Sequence, residues 1–374
     1  MKILHIITDT NIGGAGRLLL AFLREYDRNT FNIEVVAPVG SLLTQEIAAL
    51  GVECTELPHI AEKSFSLKGL RAINKLLWKK NPDIVHTHAS LAGRIAAKMW
   101  GCAIVHSRHY CVYPPKVGDT RFPVRQALGF VNHFFSDAVI ATSPEVKKGL
   151  VETGTRAKHI SVICNGVPPV RVCSNEEKLD IRARYGIKPE AFIVAQIARF
   201  SEVKGHKYTL DAAKILAQDP SIVVLLAGNG SEKDPENSEA YIRQRVKDEA
   251  IGNVCMTGFI HDIDEIINIT DVQVNSSFTE TTCLSLLEGM SLGIPAVATD
   301  AGGNPITITS GKNGLIVPVE NAKAMAEAVV KIKSDPVLYR ELSEGAKDEY
   351  HANFHASKMA RDIEALYRRV RVAK

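Results

Sequence analysis

Glu280 and Glu288 stand eight positions apart in the run Ser276-Ser-Phe-Thr-Glu-Thr-Thr-Cys-Leu-Ser-Leu-Leu-Glu-Gly-Met-Ser-Leu-Gly-Ile-Pro295. A strand-like stretch over 272–277 precedes them, and an apolar helical stretch closed by Gly293 and Pro295 follows. This places Glu280 in the loop at a strand's carboxyl end and Glu288 about two turns into the next helix. In an open α/β sheet, ligands bind at that edge. A second strand end carries cations, Arg199 and Lys204 in Gln196-Ile-Ala-Arg-Phe-Ser-Glu-Val-Lys-Gly-His206. Two positive charges in a loop bent at Gly205 suit a diphosphate, because charge-assisted bonds to phosphate oxygens are the strong ones. Taken alone, either pair reads more simply as solvated surface charge.

Other segments could also do chemistry. The turn Thr10-Asn-Ile-Gly-Gly-Ala-Gly-Arg17 joins the first strand to a helix. Glycines there let backbone N–H groups approach a phosphate at a helix N-terminus. The spacing of Gly13, Gly14 and Gly16 is wrong for Gly-x-Gly-x-x-Gly, and the second strand ends at Ala37-Pro38 without an acid, which counts against NAD. The loop is therefore either a tight structural turn or an anion loop. Ala227-Gly-Asn-Gly230 is a further strand-end turn, where Gly228 suits close ligand approach. His109, just past a strand end, serves a sugar hydroxyl, acid–base chemistry or the structure alone. His86 and His88 flank Thr87 with no acid or cysteine at ligand spacing, so two histidines sharing a strand face is a simpler reading than a metal site. Asp262-Ile-Asp264 matches the Asp-x-Asp of metal-dependent nucleotide-sugar enzymes, but ahead of Glu265 and a helix it reads as an N-cap with first-turn acids. No metal is expected.

The elements that must hold these groups alternate along the whole chain, which predicts parallel sheets with helices on both faces. Strands are expected over 2–7, 32–37, 53–57, 83–88, 103–106, 138–142 and 160–163, then over 192–198, 222–227, 254–257, 272–275, 296–299 and 314–317. Helices are expected over 15–25, 43–50, 67–80 and 90–99, then over 209–217, 240–249, 263–268, 283–292 and 322–334. The turn-rich Cys164-Asn-Gly-Val-Pro-Pro-Val170 and the polar 174–178 mark a boundary, giving domains over 1–168 and 169–353. Two similar α/β halves imply a cleft, and the hinge Asn165-Gly-Val-Pro168 would let them close on a ligand.

Length and composition agree. A chain of 374 residues exceeds one typical core. Apolar residues make up 45% and charged residues 23%, ordinary for a globular protein, and a net charge of +3 gives no reason to expect nucleic acid. Seven cysteines without a Cys-x-x-Cys pair read as reduced thiols of a cytoplasmic protein. No apolar stretch approaches the length of a membrane span. The segment Leu67–Lys80 is basic and amphipathic: Leu70, Ile73, Leu76 and Leu77 suit sheet packing, while Lys68, Arg71, Lys75, Lys79, Lys80 and Trp78 could meet an anionic membrane at the inner face of the plasma membrane.

Taken together, these residues resemble glycosyltransferase family 4, retaining enzymes of the GT-B fold. The match runs in order over nearly the whole chain: the early Gly-Gly loop, Asp83-Ile-Val-His-Thr-His88, the strand leading to His109, Cys164-Asn-Gly-Val167, Ala198-Arg-Phe with Lys204-Gly, Gly258-Phe259, Glu280 with Glu288-Gly-Met, Gly293-Ile-Pro, Gly302-Gly303 and Asn313-Gly-Leu-Ile-Val317. The resemblance implies two Rossmann-like domains facing across a cleft, with the C-terminal stretch 354–374 helical and packed back on the first. It also implies a UDP- or GDP-sugar donor on the second domain and a sugar or lipid-linked acceptor on the first, with no cofactor. Arg199 and Lys204 would neutralise the diphosphate leaving group, Glu288 would bind the ribose, Glu280 would sit by the donor sugar, and His109 would touch that sugar. Gly13, Gly14, Gly228, Phe259, Thr282, Cys283 and Leu284 complete the expected donor-binding set. Retention in the family is explained by attack on the leaving group's own face, a phosphate oxygen taking the acceptor's proton, so no general base is assigned.

Two departures stand out. Thr281 and Thr282 follow Glu280 where many relatives have Gly-Phe-Gly, and Asn304-Pro-Ile306 replaces a Pro-Glu pair, a change read as peripheral. Two other functions share the architecture. A sugar-nucleotide epimerase would need acids from the first domain, where the strand ends offer histidine instead. A catalytically silent sugar-nucleotide-binding protein would have no need of Glu280, Glu288, Arg199 and Lys204 together.

Overall fold

The computed structural model describes residues 1–109, 122–230 and 238–372. The chain divides into two compact units, Met1–Val167 with Phe354–Lys374, and Pro168–Asn353.

The first unit runs β1 (Lys2–Ile7), α1 (Gly14–Glu25), β2 (Asn32–Pro38), α2 (Leu43–Ala49), β3 (Glu53–Leu57), α3 (Leu67–Lys80), β4 (Ile84–His88), α4 (Leu91–Met99), β5 (Ala103–Arg108), α5 (Phe122–Phe134), β6 (Ala138–Ala141), α6 (Pro144–Glu152) and β7 (Ile160–Val162). Its strands form one sheet in the order β3-β2-β1-β4-β5-β6-β7, with every pair parallel. Helices cover both faces, so the central strands are near-continuous apolar runs: Ile3, Leu4, Ile6 and Ile7 of β1 are all buried. The order reverses between β1 and β4, which makes their carboxyl ends the switch point where such sheets take ligands.

The second unit repeats the plan with α7 (Asn175–Arg184), β8 (Phe192–Ile197), α8 (His206–Leu216), β9 (Ile222–Ala227), α9 (Glu239–Asp248), β10 (Val254–Gly258), α10 (Ile263–Asn268), β11 (Val272–Asn275), α11 (Leu284–Leu292), β12 (Ala296–Thr299), α12 (Asn304–Thr307), β13 (Gly314–Val317), α13 (Ala322–Ser334) and α14 (Pro336–Glu349). Its sheet order is β10-β9-β8-β11-β12-β13, again parallel, with the switch point at β8 and β11. A last helix, α15 (Ala356–Val372), belongs to the first unit and lies along α1.

The strands fall where the alternation put them, with ends moved by at most two residues. The helices differ more. Ser174–Lys178, read as a polar linker, opens α7: Ser174 caps it, and Glu177 returns a bond to the Ser174 N–H in a capping box. Polar composition masked a start signal. α11 begins at Leu284, so Glu288 lies little more than one turn into it, not two. Cys111 lies outside the described residues, and the other six cysteines are free thiols.

Candidate functional site

In the second unit, β8 and β11 are neighbours, and the loops at their carboxyl ends meet. The Lys204 ammonium lies 2.5 Å from Glu280 Oε2, and both side chains are largely buried. Burial pulls Lys204 toward its neutral form, yet the Glu280 carboxylate outweighs this and holds it above its ordinary pKa. Arg199 is exposed at the end of β8, close enough to act on Lys204 as a like charge. The loops after β8 and β11 therefore bring two cations to the Glu280 carboxylate.

The backbone around this pair is fixed by groups that the sequence did not single out. Gln196 Nε2 and Ser276 Oγ both donate to the Lys204 carbonyl, at 2.8 and 2.9 Å, and Thr209 Oγ1 donates to Ser276 Oγ at 3.0 Å. The Phe278 N–H donates to the Val203 carbonyl at 2.9 Å. On the other side, the Gly303 N–H donates to the Glu280 carbonyl at 2.8 Å, and a Cβ on Gly302 or Gly303 would overlap the carbonyl oxygen of Glu280 or Thr281. That close approach explains the glycine pair without any ligand. Asn304 is fully buried and donates to the Thr299 carbonyl at 3.1 Å. Asn304 thus supports the loop from inside, while Ile306, which follows Pro305 where the family's Pro-Glu pair has its acid, is half-buried.

Helix termini separate the two sites from the rest of the fold. α3, α4, α6, α7, α9, α10, α13 and α14 are each capped by a Ser, Asp or Asn side chain. α1, α8 and α11, which follow β1, β8 and β11 at the two switch points, have no side-chain cap and no acid in the first turn. Only the short α2 and α12 also lack a cap among those described. Uncapped amides with the positive end of the helix dipole form a ready anion site. Thr282, Cys283 and Leu284 stand at the α11 terminus, and buried Glu288 lies one turn further along. Burial and Glu280 push the Cys283 thiol up, so it stays protonated. Gly228 ends β9 beside the Ala198 carbonyl, and Phe259, past β10, is 59% exposed, an aromatic ring open to solvent. Asp262 accepts from the Asp264 N–H at 3.1 Å and caps α10, while Asp264 accepts from the Arg171 N–H at 3.1 Å. Both acids have structural work.

In the first unit, a Cβ on Gly13 or Gly14 would meet nothing within 4 Å, whereas one on Gly16 would run into Leu43. Of these three glycines, the fold needs only Gly16. Gly14→Ala is therefore expected to leave the melting temperature unchanged or slightly raised, since alanine is the better helix former, while lowering activity if a phosphate approaches the Gly14 backbone. Unchanged kinetics would show that the space is not used. Asp9 and Glu62 also meet at this end. Glu62 accepts from Thr10 N–H and Oγ1, both at 2.8 Å, and burial together with Glu62 raises the Asp9 carboxyl. These acids correct the expectation that histidine alone lines the strand ends, but Glu62 is engaged in holding the loop.

His109 follows β5, and its Nε2 shares a hydrogen bond with His88 Nδ1 at 2.9 Å. Burial, with Arg108 second, pushes it down to about 4, so it is neutral at physiological pH. His86 and His88 do share a face, together with His5, which the sequence reading did not connect with them. On α3, Lys68, Arg71, Lys75 and Lys79 are exposed along one side with Leu67 and Trp78, the latter 70% exposed. Lys80 does not join them, because it is paired with Glu34 at 2.6 Å and Glu53 at 2.5 Å.

Two all-parallel α/β units, each with charged or uncapped groups at its switch point, define a protein of the GT-B fold class. Residues 12–171 match the model of Glycosyltransferase Family 4, and residues 177–349 match that of Glycosyl transferases group 1. The chain is 30% identical over 319 residues to the putative glycosyltransferase EpsD of Bacillus subtilis, covering 78% of this chain and 81% of that protein. It is 25% identical over 382 aligned positions to the Escherichia coli UDP-Gal:alpha-D-GlcNAc-diphosphoundecaprenol alpha-1,3-galactosyltransferase, covering 98% and 96%. Anabaena HepE, crystallised with UDP, superposes with a TM-score of 0.84 at 20% identity over 98% of this chain and 99% of its own. That likeness establishes the fold. The chain belongs to the family 4 glycosyltransferases and is a transferase enzyme.

Proposed function

We propose that the protein moves a hexose-type sugar from a UDP-sugar to a lipid-diphosphate-linked sugar in glycan or cell-envelope synthesis. The carrying observation is the buried Lys204–Glu280 pair beside Arg199 at the uncapped start of α11. Arg199, Lys204 and the α11 amides neutralise the departing diphosphate, the role a metal plays elsewhere. Glu288 takes the ribose hydroxyls, Phe259 stacks on the base, and Glu280 faces the sugar while orienting Lys204. The bond from the sugar's anomeric carbon to the diphosphate breaks as the bond to the acceptor oxygen forms on the same face. The acceptor's proton leaves to a diphosphate oxygen, and configuration is retained. UDP is preferred to GDP here because HepE binds UDP and the E. coli relative uses UDP-galactose. The acceptor belongs to the first unit. Four exposed cations and Trp78 on α3 favour peripheral attachment to an anionic membrane, each basic residue adding about 1 kcal/mol near the surface.

One experiment tests the reading. The protein is given UDP- or GDP-hexoses and a polyprenyl-diphosphate-linked sugar in vesicles of rising anionic lipid content, with excess EDTA. Transfer from a UDP-sugar with retained configuration, faster and co-sedimenting on anionic vesicles, is expected. Activity lost in EDTA and restored by manganese would overturn metal independence. Epimerised donor without transfer would favour an epimerase, and ligand-induced thermal stabilisation without turnover a silent binding protein.

A further inference from the structure

β1, β4 and β5 lie in register, His5 beside His86 and His88 beside Ser107. The two-residue period therefore puts His5, His86, His88 and Ser107 on one face, with His109 one step past the strand end. α15 lays the fully buried Tyr367 on that face. His109 Nε2 lies 2.9 Å from His88 Nδ1, and His88 Nε2 lies 3.1 Å from His5 Nδ1. His5 Nε2 lies 3.0 Å from Tyr367 Oη, which lies 2.6 Å from His86 Nδ1, and His86 Nε2 lies 2.8 Å from Ser107 Oγ. The four imidazoles and Ser107 also line a cavity of about 30 Å³.

Burial holds all four rings neutral, with His5 down to about 3 and His86 and His88 well below their ordinary value. A neutral imidazole has one donor and one acceptor nitrogen, and a phenol has one proton. Each ring between His109 and Ser107 uses both nitrogens, so a proton placed on one fixes the next. Two arrangements satisfy every contact and keep the Tyr367 proton within the chain: all four histidines protonated on Nε2, or all four on Nδ1. If Tyr367 accepted from both His5 and His86, its own proton would have no acceptor in the chain. The Tyr367 hydroxyl passes the direction from His5 to His86. Ligand atoms of His5, His86 and His88 also come within 4.8 Å of one another, as a metal would need. Yet His86 and His88 are stacked 4.6 Å apart with planes 24° from parallel, and His5 and His88 are 19° from parallel. His5 and His86 are tilted by 44°, but both nitrogens of each of the three rings are already engaged in the contacts above, which a metal would have to break.

We propose that this array is one directional hydrogen-bond chain that sets the tautomer of His109, making Tyr367, His5, His86 and His88 positioning residues for transfer. The chain decides whether His109 Nδ1, the nitrogen outside it, donates or accepts. The catalytic consequence rests on the reading that His109 contacts substrate; the chain itself does not.

Long-range proton–nitrogen spectra of the full-length protein labelled with nitrogen-15 histidine read each tautomer directly. All four histidines are expected in the same form, and mixed tautomers would overturn the proposal even if no variant folds. Saturating zinc is expected to leave the three strand histidines in place; joint shifts of all three would overturn it in favour of a metal site. Tyr367→Phe removes only the linking hydroxyl. It is expected to change the tautomer populations of His5, His88 and His109 and to lower kcat at least tenfold, with the donor KM within twofold. Unchanged His109 populations would reject the chain. Full activity in His109→Ala would instead reject the substrate contact, while the spectra still judge the chain.

Discussion

Lys204→Ala is expected to lower kcat/KM by two to three orders of magnitude, the scale of losing one oriented electrostatic group, roughly 2.7–4 kcal/mol. The residue is held in position from both ends, since two donors pin its carbonyl and Glu280 fixes its ammonium. The loss should appear mainly in kcat, because charge on the diphosphate grows as the bond to the sugar breaks. Removing Lys204 also leaves Glu280 buried without its cation, which is expected to destabilise the second unit by about 1–3 kcal/mol. Adding Glu280→Gln separates the two effects: the double variant should regain thermal stability but not rate. A folded Lys204→Ala enzyme with unchanged kcat/KM would remove Lys204 from the mechanism.

Mild acid is expected to unfold the first unit before the second. His5, His86, His88 and His106 are buried and neutral, each with its pKa lowered first by desolvation. His106 is further repelled by Arg94 and Arg108. In the unfolded chain each takes up a proton below its ordinary value of 6.5. The folded state does not, so stability is intact above that pH and falls as pH drops toward the folded values. Each histidine removes about 1.4 kcal/mol per pH unit, and the four together roughly 5 kcal/mol. A total stability of about 5–15 kcal/mol is exhausted within a few units at that slope. Among the described residues, the second unit has one comparable group, His206, pushed down to about 3 by burial and by Lys204. Both tryptophans, Trp78 and Trp100, lie in the first unit, so their emission isolates its transition. A melting temperature that is flat from pH 7.5 to 5 would refute the account.

The sheets were legible because a buried parallel strand is an apolar run bounded by turn residues, as in Lys2–Ile7 and Ile222–Ala227, where both ends were read correctly. α7 was lost because its inner face needs only Ile181 buried, too thin a stripe to show a period. Glu280, Lys204 and Arg199 were legible as neighbours because strand-end loops concentrate charge where neighbouring strands bring it together. Their supports, Gln196, Ser276 and Thr209, were not, since a hydroxyl that pins a carbonyl looks like any other polar residue in a string. The histidine array required register: His5 and His86 are far apart in sequence and become partners only when β1 pairs with β4.

The return of α15 to the first unit has a consequence during synthesis. Met1–Val167 leaves the ribosome without the helix that carries Tyr367, and its partner stretch comes after the whole of Pro168–Asn353. At about 5–20 residues per second, the first unit waits some ten seconds or more for its last element. The second unit, continuous in sequence, can pair the strands of its sheet in that interval. The half begun first thus waits on a helix translated after the other half, and until α15 arrives the face of β1 and β4 that carries His5, His86 and His88 has no Tyr367 to cover it.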